Sequence, residues 1–105
     1  MTGPTTDGTV EVRDAPERSR FEITVDGRLA GFLDYHRRPG VVVFEHTEIH
    51  DDHRGRGLAG QLAAGALDAV RDRGLQIRPD CEYLAGYVRR NPGYAALVEG
   101  RSRPG

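Results

Sequence analysis

Residues 41–73 read VVVFEHTEIHDDHRGRGLAGQLAAGALDAVRDR, and this stretch decides the fold. Val41–Val43 are apolar on both faces of an extended chain, which is typical of an interior strand, and we expect that strand to run over Val41–Ile49. Over Leu58–Arg73 the apolar residues recur at offsets of 3, 4, 7, 8 and 11, which form one stripe on a helix. Gly74 is a suitable residue to end that helix. The stretch therefore predicts a strand, a glycine-rich loop and a helix.

The residues before this stretch predict an antiparallel meander. Its predicted parts are a strand at Arg20–Val25, a hairpin turn at Asp26-Gly27, a strand at Arg28–His36 and a turn at 37–40. In the second strand we expect Leu29 and Leu33 to point inward and Gly31 to mark a β-bulge. No helix is expected in this half of the chain.

The residues after the long helix predict one more strand and one more helix. We expect a strand at Leu75–Cys81, which Pro79 confines to a sheet edge or to a bulge. A shorter helix follows at Glu82–Arg90, and the apolar segment Tyr94–Val98 has no predicted position. The fold class is therefore α/β (α+β), with a meander that leads into a parallel β-α-β unit.

Length and charge limit the possible functions. A chain of 105 residues fits a single domain, which we place at 10–99 between flexible tails at 1–9 and 100–105. The 15 basic residues nearly cancel the 16 acidic ones, which argues against nucleic acid or an anionic membrane as a partner. All the basic residues are arginine, so no lysine can form a Schiff base.

The cysteine count and the start of the chain bear on location. Cys81 is the single cysteine, which excludes an intrachain disulfide and fits a reducing compartment. Met1–Thr9 is polar and has no apolar core like that of a signal peptide. We therefore expect a cytoplasmic monomer or small homo-oligomer.

The loop before the long helix has the features of a phosphate-binding turn. Gly55, Gly57 and Gly60 let the backbone approach an oxyanion, and no Ser, Thr, Asp or Asn caps the helix start. Arg54 and Arg56 add positive charge to the positive end of the helix dipole. The alternative is a turn that needs glycine for its geometry alone.

The strand before this loop becomes polar after Phe44, at Glu45–Glu48. Polar residues at the end of a central strand indicate either a functional site or a strand end that reaches solvent. The loop itself also matches the dinucleotide fingerprint G-x-G-x-x-G, and Asp80 lies twenty positions beyond Gly60. A Rossmann fold needs further βα units, however, and the segments upstream of the loop read as hairpins.

Arg54–Ala59, RGRGLA, resembles the (Q/R)-x-x-G-x-(G/A) signature of the GNAT superfamily of acyl-CoA-dependent N-acetyltransferases. The longer stretch His46–Tyr94 is similar to a small single-domain subfamily, with an H-T-E strand end, an R-P-x-C strand and an N-P-x-Y ending. The resemblance covers roughly residues 20–98. It implies a GNAT-type fold in which the parallel strands 41–49 and 75–81 splay apart.

The resemblance implies acetyl-CoA as cosubstrate. Its diphosphate would rest on the backbone amides of the loop, its pantetheine arm would pair with the strand before the loop, and its thioester would lie between the splayed strands. The positions that this assigns to the cofactor are Thr47, Glu48, Ile49, Arg54, Gly55, Arg56, Gly57, Leu58, Ala59, Gly60, Cys81 and Tyr87.

The resemblance also implies direct attack of an amine on the thioester, and candidate catalytic residues follow from it. Glu48 is the candidate base, with Glu45 or a water chain as alternatives, and Tyr83 is the candidate acid, with Tyr87 on the same helix face. Cys81 is either a transient acyl acceptor or a lining residue of the cofactor pocket.

The acceptor amine stays open between a protein amino terminus, a lysine side chain and a small polyamine. His46, Glu48 and His50 share a strand face and could line an acceptor pocket. We expect no metal site at His50–His53, because this loop lacks a distant third ligand. Many members of the superfamily use a glutamate base earlier on the strand before the loop, and the resemblance places that position within Val41–Val43, which contains no acid. The alternative function is therefore a non-catalytic acyl-CoA-binding or interaction module.

Overall fold

A computed structural model describes residues 9–100, which form one five-stranded sheet and two α-helices. The strands are β1 (Val10–Ala15), β2 (Arg20–Val25), β3 (Arg28–Arg38), β4 (Val41–Ile49) and β5 (Gln76–Pro79), and the sheet follows this order. The helices are α1 (Leu58–Asp72) and α2 (Glu82–Arg90), and a 3₁₀ helix follows at Pro92–Leu97. Strands β1 to β4 are antiparallel neighbours, whereas β4 and β5 are parallel.

The core lies between the sheet and the two helices. The predicted stripe of α1 is buried at Leu62, Ala63, Ala66, Leu67 and Val70, as its spacing requires. The buried side chains of α2 belong to the same core. The predicted mixed α/β fold, with an antiparallel meander followed by a β-α-β unit, is therefore confirmed. The Rossmann alternative fails, because the sheet formed by residues 9–100 contains a single parallel pair of strands.

The parallel pair separates partway along β4. Its partners run from Val41 opposite Gln76 to Phe44 opposite Pro79. The carbonyl oxygen of Phe44 then accepts hydrogen bonds from the amides of Asp80 and Cys81, at 2.9 and 3.0 Å. Beyond Phe44, no strand within residues 9–100 pairs with β4 on this side, so β4 and β5 splay as the resemblance implies. Pro79 lies on the outermost strand, as expected.

A bulge in β3 changes which side chains point inward. Ile23 pairs with Gly31 but Thr24 pairs with Leu29, so Ala30 is an extra residue on β3. The extra residue reverses the alternation: Ala30 is buried in the core, and Leu29 lies on the other face beside Thr24. The prediction that Leu29 points inward is therefore wrong, and the bulge lies one residue before Gly31.

Gly31 has a different role from the one expected. A Cβ atom there would lie 2.5 Å from the carbonyl oxygen of Glu48 and 2.6 Å from Cδ1 of Ile49. Glycine at this position therefore permits the close approach of β3 to the second half of β4.

The first strand is an element that the sequence analysis did not predict. Val10–Ala15 pairs along β2, and Asp14 links it to two other elements. The carboxylate of Asp14 accepts a 2.6 Å hydrogen bond from the Tyr35 hydroxyl and a 2.8 Å hydrogen bond from Arg73 Nη1 at the end of α1. These contacts attach β1 to both β3 and α1.

The apolar segment after α2 covers the outer edge of β5. Val98 forms a parallel bridge to Ile77, and the amide of Glu99 donates to the Ile77 carbonyl oxygen at 2.8 Å. The hydroxyl of Tyr94 donates to Asp68 on α1 at 2.8 Å. The segment thus ties the edge of the sheet to the outer side of α1.

The expected tails at 1–9 and 100–105 lie outside the described residues, apart from Thr9 and Gly100. The amide of Thr9 donates to the Asp26 carboxylate at 2.9 Å, so Thr9 contacts the first hairpin. Neither α1 nor α2 is long and apolar enough to cross a membrane, nor is any other helix within residues 9–100.

Candidate functional site

A cavity of about 560 Å³ opens where β4 loses its pairing with β5. Its walls come from the second half of β4, the following loop, the first turn of α1 and the start of α2. The lining residues are His46, Thr47, Glu48, Ile49, His53, Arg54, Gly55, Gly57, Leu58, Ala59 and Tyr83.

The loop forms one wall of this cavity with unshielded backbone. Gly55 and Gly57 have φ angles of +80° and +73°, which glycine adopts without strain, and a Cβ at either would meet no atom within 4 Å. Gly57 is the N-cap of α1, and among the described residues no side chain hydrogen-bonds the amides of the first turn. These amides lie at the positive end of the helix dipole, so the loop is suited to an anion.

The two arginines of the loop are held by neighbouring residues. Arg54 Nε lies 3.1 Å from Asp51 Oδ1 and donates to the Ile49 carbonyl oxygen at 3.3 Å. Arg56 Nη1 lies 3.3 Å from Nδ1 of His53. Arg54 lines the cavity, whereas Arg56 does not.

Thr47 and Cys81 meet across the splayed strands. Thr47 Oγ1 and Cys81 Sγ lie 3.1 Å apart, and Cys81 is 6% exposed. Thr47 lines the cavity, and Cys81 lies behind it at the N-cap of α2. The contact joins the second half of β4 to the start of α2 at one end of the cavity.

A second bulge directs the polar side chains of β4. Asp34 pairs with His46 but Tyr35 pairs with Phe44, so Glu45 is an extra residue. Glu45 Oε2 lies 2.7 Å from Nδ1 of His36, and Glu45 does not line the cavity. Of the two glutamates considered as bases, only Glu48 therefore lies at the cavity.

Glu48 forms a pair with His46 on the face of the sheet opposite the helices. His46 Nε2 lies 3.3 Å from Glu48 Oε1, and both side chains are about half exposed. The Phe32 ring lies beside His46, with 6.1 Å between ring centroids. Because the free edge of β4 is open to both faces, this pair and the helix-side Thr47 line one cavity.

Two tyrosines of α2 lie against the start of α1. Tyr83 and Tyr87 have ring centroids 6.3 Å apart, and a Cβ at Gly60 would lie 3.9 Å from both side chains. Burial raises the pKa of Tyr83, and the nearby charge of Arg90 opposes that rise. Tyr83 reaches the cavity, whereas Tyr87 lies one turn away from it.

The structure thus gathers most of the predicted site residues around one cavity. Those that do not line it are Arg56, Gly60, Cys81 and Tyr87. His46 and His53 line the cavity without having been assigned to the cofactor or to catalysis. For His46 the sequence carried a signal, because His46 shares a strand face with Glu48. For His53 the sequence carried no signal of a place at the cavity. Within residues 9–100, no cluster of three or more His, Cys, Asp or Glu side chains could hold a metal ion.

Comparisons with known proteins give a consistent result. Residues 20–97 match the family model of the GCN5-related N-acetyl-transferases. The protein NATD1 of Mus musculus is 34% identical over 88 residues, which cover 81% of this chain and 79% of that protein. NATD1 of Gallus gallus is 34% identical over 86 residues, which cover 79% of this chain and 77% of that protein.

Solved structures share the fold. The NMR structure of a GCN5-like putative N-acetyltransferase from Staphylococcus aureus aligns with a TM-score of 0.64 at 17% identity, over 90% of this chain and 96% of that one. A ribosomal-protein-alanine N-acetyltransferase from Brucella melitensis aligns with a TM-score of 0.51 at 20% identity, over 82% of this chain and 66% of that one. With most of its length matched by the family model, the chain belongs to the GCN5-related N-acetyltransferase family.

Proposed function

We propose that the protein transfers an acetyl group from acetyl-CoA to an amine by direct attack. The observation that carries this proposal is the continuity of the cavity. One end is a helix start on two glycines with positive φ, and the other is an edge of β4. Within the described part of the chain, no side chain caps the first and no strand pairs with the second. An anion joined to an extended arm with amide groups matches both ends.

The chemistry of coenzyme A fits these two ends. Its diphosphate would accept hydrogen bonds from the amides at 57–60, for which no side chain of residues 9–100 competes. Its pantetheine arm carries amides that would pair with the free edge of β4 over Thr47–Ile49, in place of the missing strand. The thioester would then lie near Thr47 and Tyr83, at the end of the cavity where the strands splay.

The reaction needs a neutral amine, and the His46–Glu48 pair supports this step. The acceptor would approach from the exposed face, where the imidazole and the carboxylate are 3.3 Å apart. A neutral imidazole accepts a proton near pH 7, and the carboxylate beside it stabilises the imidazolium that results. Positioning amine and thioester in one cavity supplies much of the acceleration.

Tyr83 completes the proton balance. The amine nitrogen forms a bond to the thioester carbon, the carbon–sulfur bond breaks, and the electron pair leaves on the coenzyme A thiolate. The Tyr83 hydroxyl donates its proton to this thiolate and is reprotonated from solvent, while the proton lost by the amine leaves through His46–Glu48. No acyl-enzyme is required, so we assign Cys81 to the support of Thr47 behind the cofactor.

Thermal unfolding with acetyl-CoA and with NAD tests the cofactor assignment. A ligand that binds the folded state alone raises the unfolding temperature, so acetyl-CoA should stabilise the protein and NAD should not. Stabilisation by NAD alone would contradict the proposal. Acetyl transfer to a panel of amines, measured for the wild-type protein and for Glu48→Gln, then tests catalysis. Binding of acetyl-CoA without turnover of any amine would favour a non-catalytic acyl-CoA-binding module instead.

A further inference from the structure

Gly86 lies in the interior of α2, where glycine is the least favourable residue apart from proline. It does not belong to the glycines with positive φ, so the backbone conformation does not require it. Gly86 is nevertheless buried, although Arg89 and Arg90 at the end of the same helix are exposed. Something other than backbone freedom therefore accounts for a glycine at this position.

The space that Gly86 leaves is occupied by a guanidinium group. A Cβ on Gly86 would lie 3.2 Å from Arg90 Nη1, which is closer than an ordinary van der Waals contact. Arg89 is farther, with its Nη2 at 3.6 Å. The Arg90 side chain thus folds back along the helix toward its N-terminus, the direction that helical side chains favour.

The same guanidinium reaches Tyr83, two helical turns before Arg90. Its Cζ atom lies 6.0 Å from the centroid of the Tyr83 ring, at the outer range of a cation–π contact. Tyr83 lines the cavity, whereas Arg90 does not. Arg90 therefore lies beside the ring of Tyr83, the candidate acid, but outside the lining of the cavity.

We propose that Arg90 is a positioning residue, which holds the Tyr83 phenol at the cavity and stabilises its phenolate after it has protonated the coenzyme A thiolate. This inference rests on the proposed function. Gly86 leaves room for this placement, because a Cβ there would lie 3.2 Å from Arg90 Nη1 and the guanidinium would have to shift.

Among the groups of α2 around Tyr83, Arg90 is the cation whose charge acts on the Tyr83 hydroxyl. From α2 itself, Tyr87 and the Cys81 thiol face Tyr83, and both disfavour the phenolate. The start of α1 contributes Gly60, which carries no charge. The groups that share the cavity from β4 and the loop are His46, Glu48, His53 and Arg54. Burial raises the pKa of Tyr83, and the charge of Arg90 lowers it.

The test compares Arg90→Gln with Arg89→Gln, which removes the same charge one residue away. The ¹³C NMR signal of the Tyr83 ring, assigned with Tyr83→Phe, reports its titration without any need for activity. We expect Arg90→Gln to move this titration to higher pH and to lower kcat about tenfold with an unchanged KM for acetyl-CoA. Arg89→Gln should change neither quantity.

Gly86→Ala is a second variant, in which the added methyl group shifts the Arg90 guanidinium. The Arg90 side chain can swing away from the new methyl group, and alanine favours the helix, so the unfolding temperature should stay equal or rise. The Tyr83 titration and kcat should nevertheless change in the direction seen with Arg90→Gln. A loss of activity in a variant that is equally or more stable cannot come from unfolding.

Three outcomes decide the matter. An unchanged Tyr83 titration in Arg90→Gln would overturn the proposal. A KM that rises for acetyl-CoA but not for acetyl-dephospho-CoA would also overturn it, and would make Arg90 a ligand of the 3′-phosphate. If the wild-type protein turns over no amine while the titration still shifts, the contact between Arg90 and Tyr83 is upheld and the proposed function is what fails.

Discussion

Gly31 sets the distance between β3 and β4 beside the cavity. A Cβ there would lie 2.5 Å from a backbone oxygen of Glu48, and backbone cannot move aside as a flexible side chain can. We expect Gly31→Ala to lower the free energy of unfolding by about 2 kcal/mol. It should also weaken binding of coenzyme A, because Glu48 and Ile49 line the cavity. Urea unfolding and calorimetric titration measure the two effects.

Gly93→Ala is the matched control for that substitution. A Cβ on Gly93 meets no atom within 4 Å, and its φ is not positive. Its effect on the free energy of unfolding should stay within about 0.5 kcal/mol. If Gly31→Ala were no more destabilising than Gly93→Ala, the close approach of the strands would not need glycine.

Glu22 is a buried carboxylate held by two arginines on the sheet face opposite the helices. It is 5% exposed, and its Oε2 accepts hydrogen bonds from Arg20 at 2.9 Å and from Arg18 at 3.0 Å. Burial alone would raise the pKa of Glu22, but the hydrogen bonds and charges of these arginines outweigh it and lower the pKa. Because the folded-state pKa is depressed, this stabilisation is complete above the unfolded pKa of about 4.3 and is lost as pH falls through the folded value.

We therefore expect the free energy of unfolding to fall when the pH is lowered from 6 to 3. Glu22→Gln should cost about 1–2 kcal/mol at pH 6 and reduce the dependence on pH. Glu17→Gln is the control, since that exposed carboxylate lies 3.9 Å from Arg18. Urea unfolding at both pH values measures the difference. A pH dependence unchanged by Glu22→Gln would show that other carboxylates are responsible.

The elements that the sequence predicted well are those whose residues act locally. The stripe of α1 depends on spacing within one helix, and the missing cap of its first turn is visible from residue type alone. β1 was missed although Val10, Val12 and Ala15 are apolar, because the contacts that place it come from elsewhere in the chain. It pairs with β2, and the partners of Asp14 lie 21 and 59 positions away. The place of Tyr94–Val98 depends in the same way on distant partners, Asp68 and Ile77.

The two β-bulges limited the prediction of which side chains of β3 and β4 face the core or the cavity. The alternation of β3 predicts an inward Leu29, but one extra residue reverses the faces of everything before it. Gly31 indicates a bulge, but nothing in the sequence shows that Ala30 is the extra residue, and the faces of the residues before it depend on that position. The second bulge, at Glu45, likewise decides which acidic side chain of β4 reaches the cavity.

The first turn of α1 provides a test of the loop as an element. Ala59 lies in that turn and lines the cavity. A glutamate there interacts favourably with the helix dipole, so Ala59→Glu should leave the unfolding temperature unchanged or raise it. The same charge would repel a diphosphate, and we expect affinity for coenzyme A to fall at least tenfold, about 1.4 kcal/mol.

Gln61→Glu separates the effect of the new charge on the helix dipole from its repulsion of a diphosphate. Gln61 belongs to the same turn, is exposed and does not line the cavity. Its substitution adds the same charge to the same dipole and should reduce the affinity far less. Calorimetric titration with coenzyme A and thermal unfolding compare the variants. Equal, small losses of affinity in both would mean that the anion does not bind at this loop.

At the scale of the whole molecule, hydrogen bonds of two tyrosines join elements that are distant in the sequence. Burial and a hydrogen bond to Asp14 raise the pKa of Tyr35 to about 12, and burial with a hydrogen bond to Asp68 raises the pKa of Tyr94 to about 12. The first contact joins β3 to β1, and the second joins the segment after α2 to α1. The chain contains no lysine, so no lysine titration overlaps with that of the tyrosines.

These tyrosines make stability sensitive to alkaline pH. Because the folded-state pKa lies above the unfolded value of about 10, the stabilisation is complete below pH 10 and is lost as pH rises through 12. We expect the free energy of unfolding to be lower at pH 11 than at pH 8, with Tyr35 contributing on the order of 1 kcal/mol. Tyr35→Phe should lose stability at pH 8 and show a smaller further loss at pH 11, whereas Tyr87→Phe should keep the wild-type loss. If Tyr35→Phe and Tyr87→Phe lose the same amount between the two pH values, the hydroxyl shared with Asp14 does not couple β1 to the rest of the sheet.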